Sequence, residues 1–161
     1  MGLGIIPTGG LLLRDPSILN SIGFEIPYLA GENKKHFHII GTRPGGTVIA
    51  FWAILKHLGI NGFKSIIKDC MENTYYLRNR IAEIDGIKLA TEPLMNIVGL
   101  TLENGENISK LEEELRKRGW MLGKFINFNL IRIVLMPHVK QKHLSDFIEA
   151  LEEILRKLKI T

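Results

Sequence analysis

The sequence predicts an α/β chain whose C-terminal part is α+β, a small antiparallel sheet covered by helices. Three observations predict it. Two short, almost uniformly apolar runs open the chain, as in strands buried on both faces. A long amphipathic pattern crosses the middle. After Asp85-Gly86 the pattern becomes strand–strand–helix–strand–strand–helix. That change sets a boundary at residue 85, with one part over 1–85 and a small α+β domain over 86–161.

Taken in order, Gly4-Ile5-Ile6-Pro7 and Gly10-Leu11-Leu12-Leu13 read as two strands about Thr8-Gly9. A chain opening on core strands, with no polar lead-in, implies further polypeptide before residue 1. Residues 17–37 read as an irregular connection containing Gly23, Pro27 and Gly31; a loop of this length usually serves function or docks on another chain. Gly45 to Leu58 reads as a buried helix ended by Gly59, and Asn61-Gly62 as a turn. Phe63, Ile66, Ile67, Cys70, Met71, Thr74, Leu77 and Ile81 form one stripe of the following helix.

In the C-terminal part, Ile87 to Ala90 and Asn96 to Leu102 read as strands. Ile108, Leu111 and Leu115 mark a short helix, with Asn107 or the pattern Ser109-x-x-Glu112 as its cap. Arg116-Lys117-Arg118-Gly119 closes it with cations at the negative end of the dipole and then a glycine. Trp120 to Phe125 and Leu130 to Leu135 are two strands about Asn127-Phe128-Asn129, and a regular apolar stripe predicts a last helix from about Gln141 to Leu158.

Composition narrows the function classes. The 161 residues are 45% hydrophobic and 24% charged, a globular composition. The formal charge of +4 comes from lysines and arginines interleaved with glutamates, without a basic stripe and spaced aromatics, which argues against nucleic-acid binding. No apolar run approaches membrane-spanning length, and the glycine- and proline-containing start lacks a basic leader. A single cysteine, Cys70, excludes an internal disulfide and suits a reducing, cytoplasmic compartment. No Cys/His pair has zinc-site spacing, and the histidines at 36, 38, 57, 138 and 143 include no i, i+4 pair beside a glutamate.

Two stretches carry candidate chemistry. Gly41-Thr42-Arg43-Pro44-Gly45-Gly46 sets a hydroxyl and a planar cation beside a helix start, which favours an anion; a tight turn before a helix explains the same residues. Arg132 lies within Leu130-Ile131-Arg132-Ile133-Val134-Leu135, where alternation opposes it to Ile131, Ile133 and Leu135. An arginine in such a strand needs solvent, an ion pair, or a carboxylate ligand captured in bidentate fashion. Tyr28, in Pro27-Tyr28-Leu29, is either a phenol near an active site or a residue that packs its loop down.

In combination the motifs resemble the C-terminal part of the group II pyridoxal-phosphate (PLP) decarboxylases, and most of all the archaeal L-tyrosine/L-aspartate decarboxylase branch. The resemblance covers essentially the whole chain. Its carriers are Met1-Gly2 with Ile6-Pro7-Thr8-Gly9-Gly10, then Ile26-Pro27-Tyr28-Leu29, Ile40-Gly41-Thr42-Arg43-Pro44-Gly45-Gly46 and Leu58-Gly59-Ile60-Asn61-Gly62-Phe63. They continue with Cys70-Met71-Glu72-Asn73-Thr74, Glu92-Pro93-Leu94-Met95-Asn96-Ile97-Val98, and Leu130-Ile131-Arg132-Ile133-Val134-Leu135-Met136-Pro137-His138.

The resemblance implies the C-terminal segment of a fold-type-I PLP-dependent transferase-like fold, with residues 1–85 ending the large PLP-binding domain and its long linking helix. It implies that Thr42 reaches a cofactor phosphate across a dimer, that Arg132 holds the substrate α-carboxylate, and that Tyr28 lies near a mobile active-site loop. The family's Schiff-base lysine falls just before the residues matching Met1-Gly2. Its aspartate for the pyridine nitrogen and its ring-stacking histidine fall in the other half. The expectation is therefore a decarboxylase part that is inactive alone and needs PLP, an amino-acid substrate, and an N-terminal half or a homodimer. A non-catalytic, self-associating remnant and a part of a phosphosphingolipid-type lyase are the alternatives.

Overall fold

The computed structural model describes residues 3–6, 8–28, 30, 35–39 and 44–160. They divide into two compact units, residues 2–59 and residues 60–161.

In the first unit Asp15 accepts the Ser17 N–H at 2.9 Å, opening a short 3-10 turn over Pro16–Ile18. The same contacts hold the Asp15 carboxyl below its ordinary range. Helix α1 (Leu19–Ile22) follows, and strands β1 (Phe24–Glu25) and β2 (Lys35–His36) pair antiparallel. The ring of Phe37 packs so closely on Gly23 that a Cβ there would lie 2.8 Å from it.

Two expectations for this unit are corrected. The described residues of the two apolar runs at 4–7 and 10–13 form no strand, and Ile6 and Leu12 are 91% and 93% exposed. A strand needs a backbone hydrogen-bonding neighbour, and among the described residues none pairs with these runs; Ile5 O accepts from the nearby Thr8 hydroxyl instead. The helix beginning at Gly45 is not buried either: Val48, Ile49 and Trp52 are exposed, because its apolar side chains have no sufficient cover within the described residues.

Helix α2 runs over Gly45–Ile81, interrupted only at Gly59, whose φ of 55° and ψ of −174° are non-helical. A side chain rarely adopts a positive φ, so glycine suits this position. The predicted end of the first helix at Gly59 thus holds, while Asn61-Gly62 makes no turn and lies in the first turn of the second helical segment. Of its predicted stripe Cys70, Thr74, Leu77 and Ile81 are buried, while Ile67 remains exposed. Among the described residues no helix is long and apolar enough to cross a membrane.

The second unit contains the predicted sheet. Strands β3 (Ile87–Leu89), β4 (Ile97–Leu102), β5 (Gly123–Phe125) and β6 (Leu130–Val134) are antiparallel in the order β3-β4-β6-β5. Strand β5 is shorter than the predicted 120–125. Residues 120–122 lie outside the ladder, and Trp120 turns to pack edge-on against Phe147, ring centroids 5.4 Å apart. One face of the sheet carries Leu100, Leu102, Ile131 and Val98. It packs on the end of α2, on α3 (Ser109–Lys117) and on α4 (Gln141–Leu158), with Leu77, Leu111, Leu115, Leu151 and Ile154 in the same core. Period-2 and period-3.6 stripes meet there and remove their apolar area from water.

Side chains and caps fix this layer. Gly86 ends the turn after α2 at φ 85°, and a Cβ on it would lie 2.6 Å from the Ile160 carbonyl oxygen. Ile108 takes the N-cap position of α3 in place of the predicted Asn107 or Ser109, and Asn107 accepts the Ser109 N–H at 2.8 Å from one residue earlier. Asn129, left-handed at φ 49°, accepts the Ile108 N–H at 2.9 Å and donates to Glu106 O at 2.8 Å, tying the turn before β6 to the start of α3. Glu114 is hydrogen-bonded by Lys117 and by Lys157 of α4, which lowers its carboxyl to about 2.

Candidate functional site

The second face of the sheet carries the candidate residue Arg132. Alternation along β6 puts Arg132 there, opposite Ile131 and Ile133 as expected from the sequence. Its two cross-strand neighbours are both glycines, Gly99 on β4 and Gly123 on β5. The guanidinium can therefore lie low over the sheet: a Cβ on Gly123 would sit 3.6 Å from Arg132 Nε and 3.7 Å from Nη2. Arg132 Cζ lies over the ring of Phe125, 4.9 Å from its centroid. Among the described residues no carboxylate pairs with Arg132, although most other arginines of this unit have one.

Arg132 borders a cavity of about 420 Å³ at the end of the sheet, lined also by Trp120, Leu122, Val139, His143 and Phe147. His143 is oriented from α4, its Nδ1 accepting the Lys140 N–H at 3.2 Å. The arrangement is one cation and one imidazole against an otherwise apolar wall. It can fix a carboxylate and bury an apolar body beside it.

A buried acid braces the strand that borders this cavity. Glu112 of α3, 3% exposed, accepts from Arg116 Nε at 2.9 Å and from Lys124 Nζ at 2.9 Å, one cation on each oxygen. The Lys124 and Arg116 hydrogen bonds hold the Glu112 carboxyl below its ordinary range. Lys124 follows Gly123 and precedes Phe125, so this bridge anchors β5 to the helical layer while its neighbours face Arg132. Glu112, expected only as a capping residue, thus has a different role. Alternation could have shown it, since Lys124 pairs with Ile131 and must point to the helix-covered face.

The other predicted residues do not join this site. Thr42 and Arg43 lie outside the described residues. Among the described residues nothing lies within 4 Å of a Cβ added at Gly45 or Gly46. Tyr28 is 81% exposed and does not pack its loop down; it borders a separate small cavity with Phe24, His36 and His38. Cys70 is buried, and desolvation raises its thiol. Among the described residues no cluster of three or more His, Cys, Asp or Glu is placed to hold a metal ion.

The cavity at Arg132 does not fit PLP. Among the described residues its lining offers no carboxylate to pair with a pyridinium nitrogen and no lysine to hold an aldehyde. What it offers is one guanidinium and one imidazole beside an apolar wall.

No family model matches the chain. The L-aspartate decarboxylase of Thermococcus kodakarensis is 42% identical over 158 residues, which are 98% of this chain and 40% of that protein. A probable L-tyrosine/L-aspartate decarboxylase of Methanococcus aeolicus is 38% identical over 154 residues, 96% of this chain and 38% of that protein. The chain thus spans about two fifths of the length of these curated relatives. A sphingosine-1-phosphate lyase from Burkholderia pseudomallei superposes with a TM-score of 0.77 at 21% identity, over 89% of this chain and 32% of that one. Catharanthus roseus tryptophan decarboxylase, in complex with L-tryptophan, superposes with a TM-score of 0.61 at 13% identity, over 69% of this chain and 26% of that one. At these identities the structural likeness is one of fold, and the fold is that of a segment of fold-type-I PLP-dependent enzymes.

Proposed function

We propose that this chain corresponds to a C-terminal part of the group II PLP-dependent decarboxylases and supplies the carboxylate-binding side of an amino-acid decarboxylase. PLP is the cofactor expected of that family, and the electron-sink chemistry belongs to it. Residues outside these 161, in the same polypeptide or in a partner, hold it. Alone, the 161 residues do not decarboxylate. Arg132 receives the α-carboxylate of a tyrosine-, aspartate- or glutamate-type substrate and fixes which bond to Cα is presented for cleavage. Thr42 contributes to the cofactor phosphate site of a homodimer, and Tyr28 belongs to the loop beside it.

The observation that carries this reading is the guanidinium of Arg132. It has no carboxylate partner among the described residues and borders a cavity, lined in part by α4, that has room for one.

The test is carbon dioxide release from L-tyrosine, L-aspartate and L-glutamate by the 161 residues joined to, or mixed with, a cofactor-holding half. Loss of the charge-assisted contact in Arg132→Gln should lower kcat/KM by about ten- to a hundredfold. Undiminished turnover by Arg132→Gln would refute the assignment.

A second reading is cleavage of a carbon–carbon bond in a phosphorylated amino alcohol, favoured by the 0.77 superposition on a sphingosine-1-phosphate lyase. The identities of 38–42% to decarboxylase-named proteins weigh against it. Aldehyde release from a phosphorylated amino alcohol supplied in place of the amino acids, with no carbon dioxide released from the amino acids, would select it.

A further inference from the structure

We propose that Phe125 and Gly123 act together as positioning residues for the Arg132 guanidinium; the functional meaning of that positioning rests on the carboxylate reading above. An arginine on an open sheet face has several free torsions and much rotamer entropy to lose when it captures a ligand. Here its neighbours give it room to lie down on the sheet and a ring to rest on. Both cross-strand neighbours lack a Cβ, so the side chain is not forced to stand upright between two others. On the β5 side, the empty position over Gly123 is filled by the guanidinium itself, with Nε and Nη2 at 3.6 and 3.7 Å from where a Cβ would be. Phe125 Cε2 lies 3.6 Å from the same point, and the Phe125 ring sits under Arg132 Cζ.

The spacing is what makes the pair work. Gly123 and Phe125 are two residues apart on β5, so they share a face, and Phe125 pairs with Leu130, one step diagonal from Arg132. The ring attracts the cation through its π-face without consuming it in a salt bridge. A carboxylate in Phe125's place would compete with the ligand; an aliphatic residue would leave the cation unheld. The Glu112–Lys124 bridge adds a second constraint, since it fixes the residue between the two.

The experiment is 15N relaxation and titration of the Arg132 Nε–Hε signal in the 161-residue chain, for wild type, Phe125→Leu, Phe125→Tyr and Gly123→Val. The valine is a good strand former, so Gly123→Val keeps β5 while its branches occupy the space of the guanidinium. Without ligand, Phe125→Leu and Gly123→Val should lower the heteronuclear NOE of Nε–Hε, and Phe125→Tyr should retain it. With sodium acetate or L-aspartate as the added carboxylate, Phe125→Leu should weaken binding about two- to fivefold, as expected for a partly exposed cation–π contact, with Phe125→Tyr restoring it. An unchanged NOE in both Phe125→Leu and Gly123→Val would overturn the positioning role, whatever the titration shows. A wild-type signal that is ordered by Phe125 but ignores carboxylates would instead overturn the carboxylate reading and leave the positioning intact.

Discussion

Replacing Glu112 by glutamine isolates the charge at the brace behind β5 while keeping its shape. Glu112 is buried and carries two cations, one per carboxylate oxygen. Breaking a fully buried ion pair from one side costs about 3–5 kcal/mol, because the remaining charge is stranded. Here the released partners are not fully stranded. The Arg116 and Lys124 side chains keep 54% and 27% exposure and can turn to water. Glutamine also still accepts one hydrogen bond. The expected loss is therefore about 1–3 kcal/mol at pH 7, the range for losing charge-assisted bonds.

The sign with pH follows from the lowered folded-state pKa of Glu112. A carboxyl lowered on folding contributes its full stabilisation above its unfolded pKa, near 4.3, and loses it as pH falls through the folded value. The stability gap between wild type and Glu112→Gln should thus be flat from pH 7 to about 5 and close below that. Urea denaturation followed by far-ultraviolet circular dichroism at several pH values measures it, and groups common to both proteins cancel in the difference. A gap under about 0.5 kcal/mol at pH 7, or one that persists unchanged to pH 3, would refute a charged, paired Glu112.

Two further outcomes follow from the same layer. Gly86→Ala should cost about 2–4 kcal/mol, from a strained positive φ together with a methyl group driven against the Ile160 carbonyl; Gly105→Ala, at φ 74° with nothing near its Cβ, should cost only about 1–2. Equal losses in urea melts would contradict the close approach at Gly86. Cys70, buried with its thiol raised by desolvation, should resist a disulfide reagent at pH 8 until urea unfolds the chain, and labelling as fast as a free thiol would contradict its burial.

The chain's own pattern determined much of this protein. The C-terminal strands and helices follow from periodicity because each stripe is completed locally: Leu144, Phe147, Ile148, Leu151, Ile154 and Leu155 face one way on any helix built from them. The placement of Arg132 against Ile131 and Ile133 follows equally from alternation; the role proposed for it rests on the resemblance to the decarboxylases. The N-terminal runs read differently, because apolarity predicts a wish to be buried and not the presence of a partner. Ile6, Leu12 and Trp52 are apolar and exposed because their cover is not among the described residues.

Only the tertiary structure decided what surrounds the arginine. Gly99 and Gly123 are 24 residues apart in sequence, and neither signals a site by itself. Pairing across β4, β6 and β5 brings both beside Arg132, and the edge position of β5 then lets Phe125 reach under the guanidinium. Glu112 needed the same step, since a helical acid becomes a buried brace only when α3 lies over Lys124. Local pattern sets which face a side chain takes. Which distant groups meet on that face depends on register and strand order, and those are set by the packing of the whole layer.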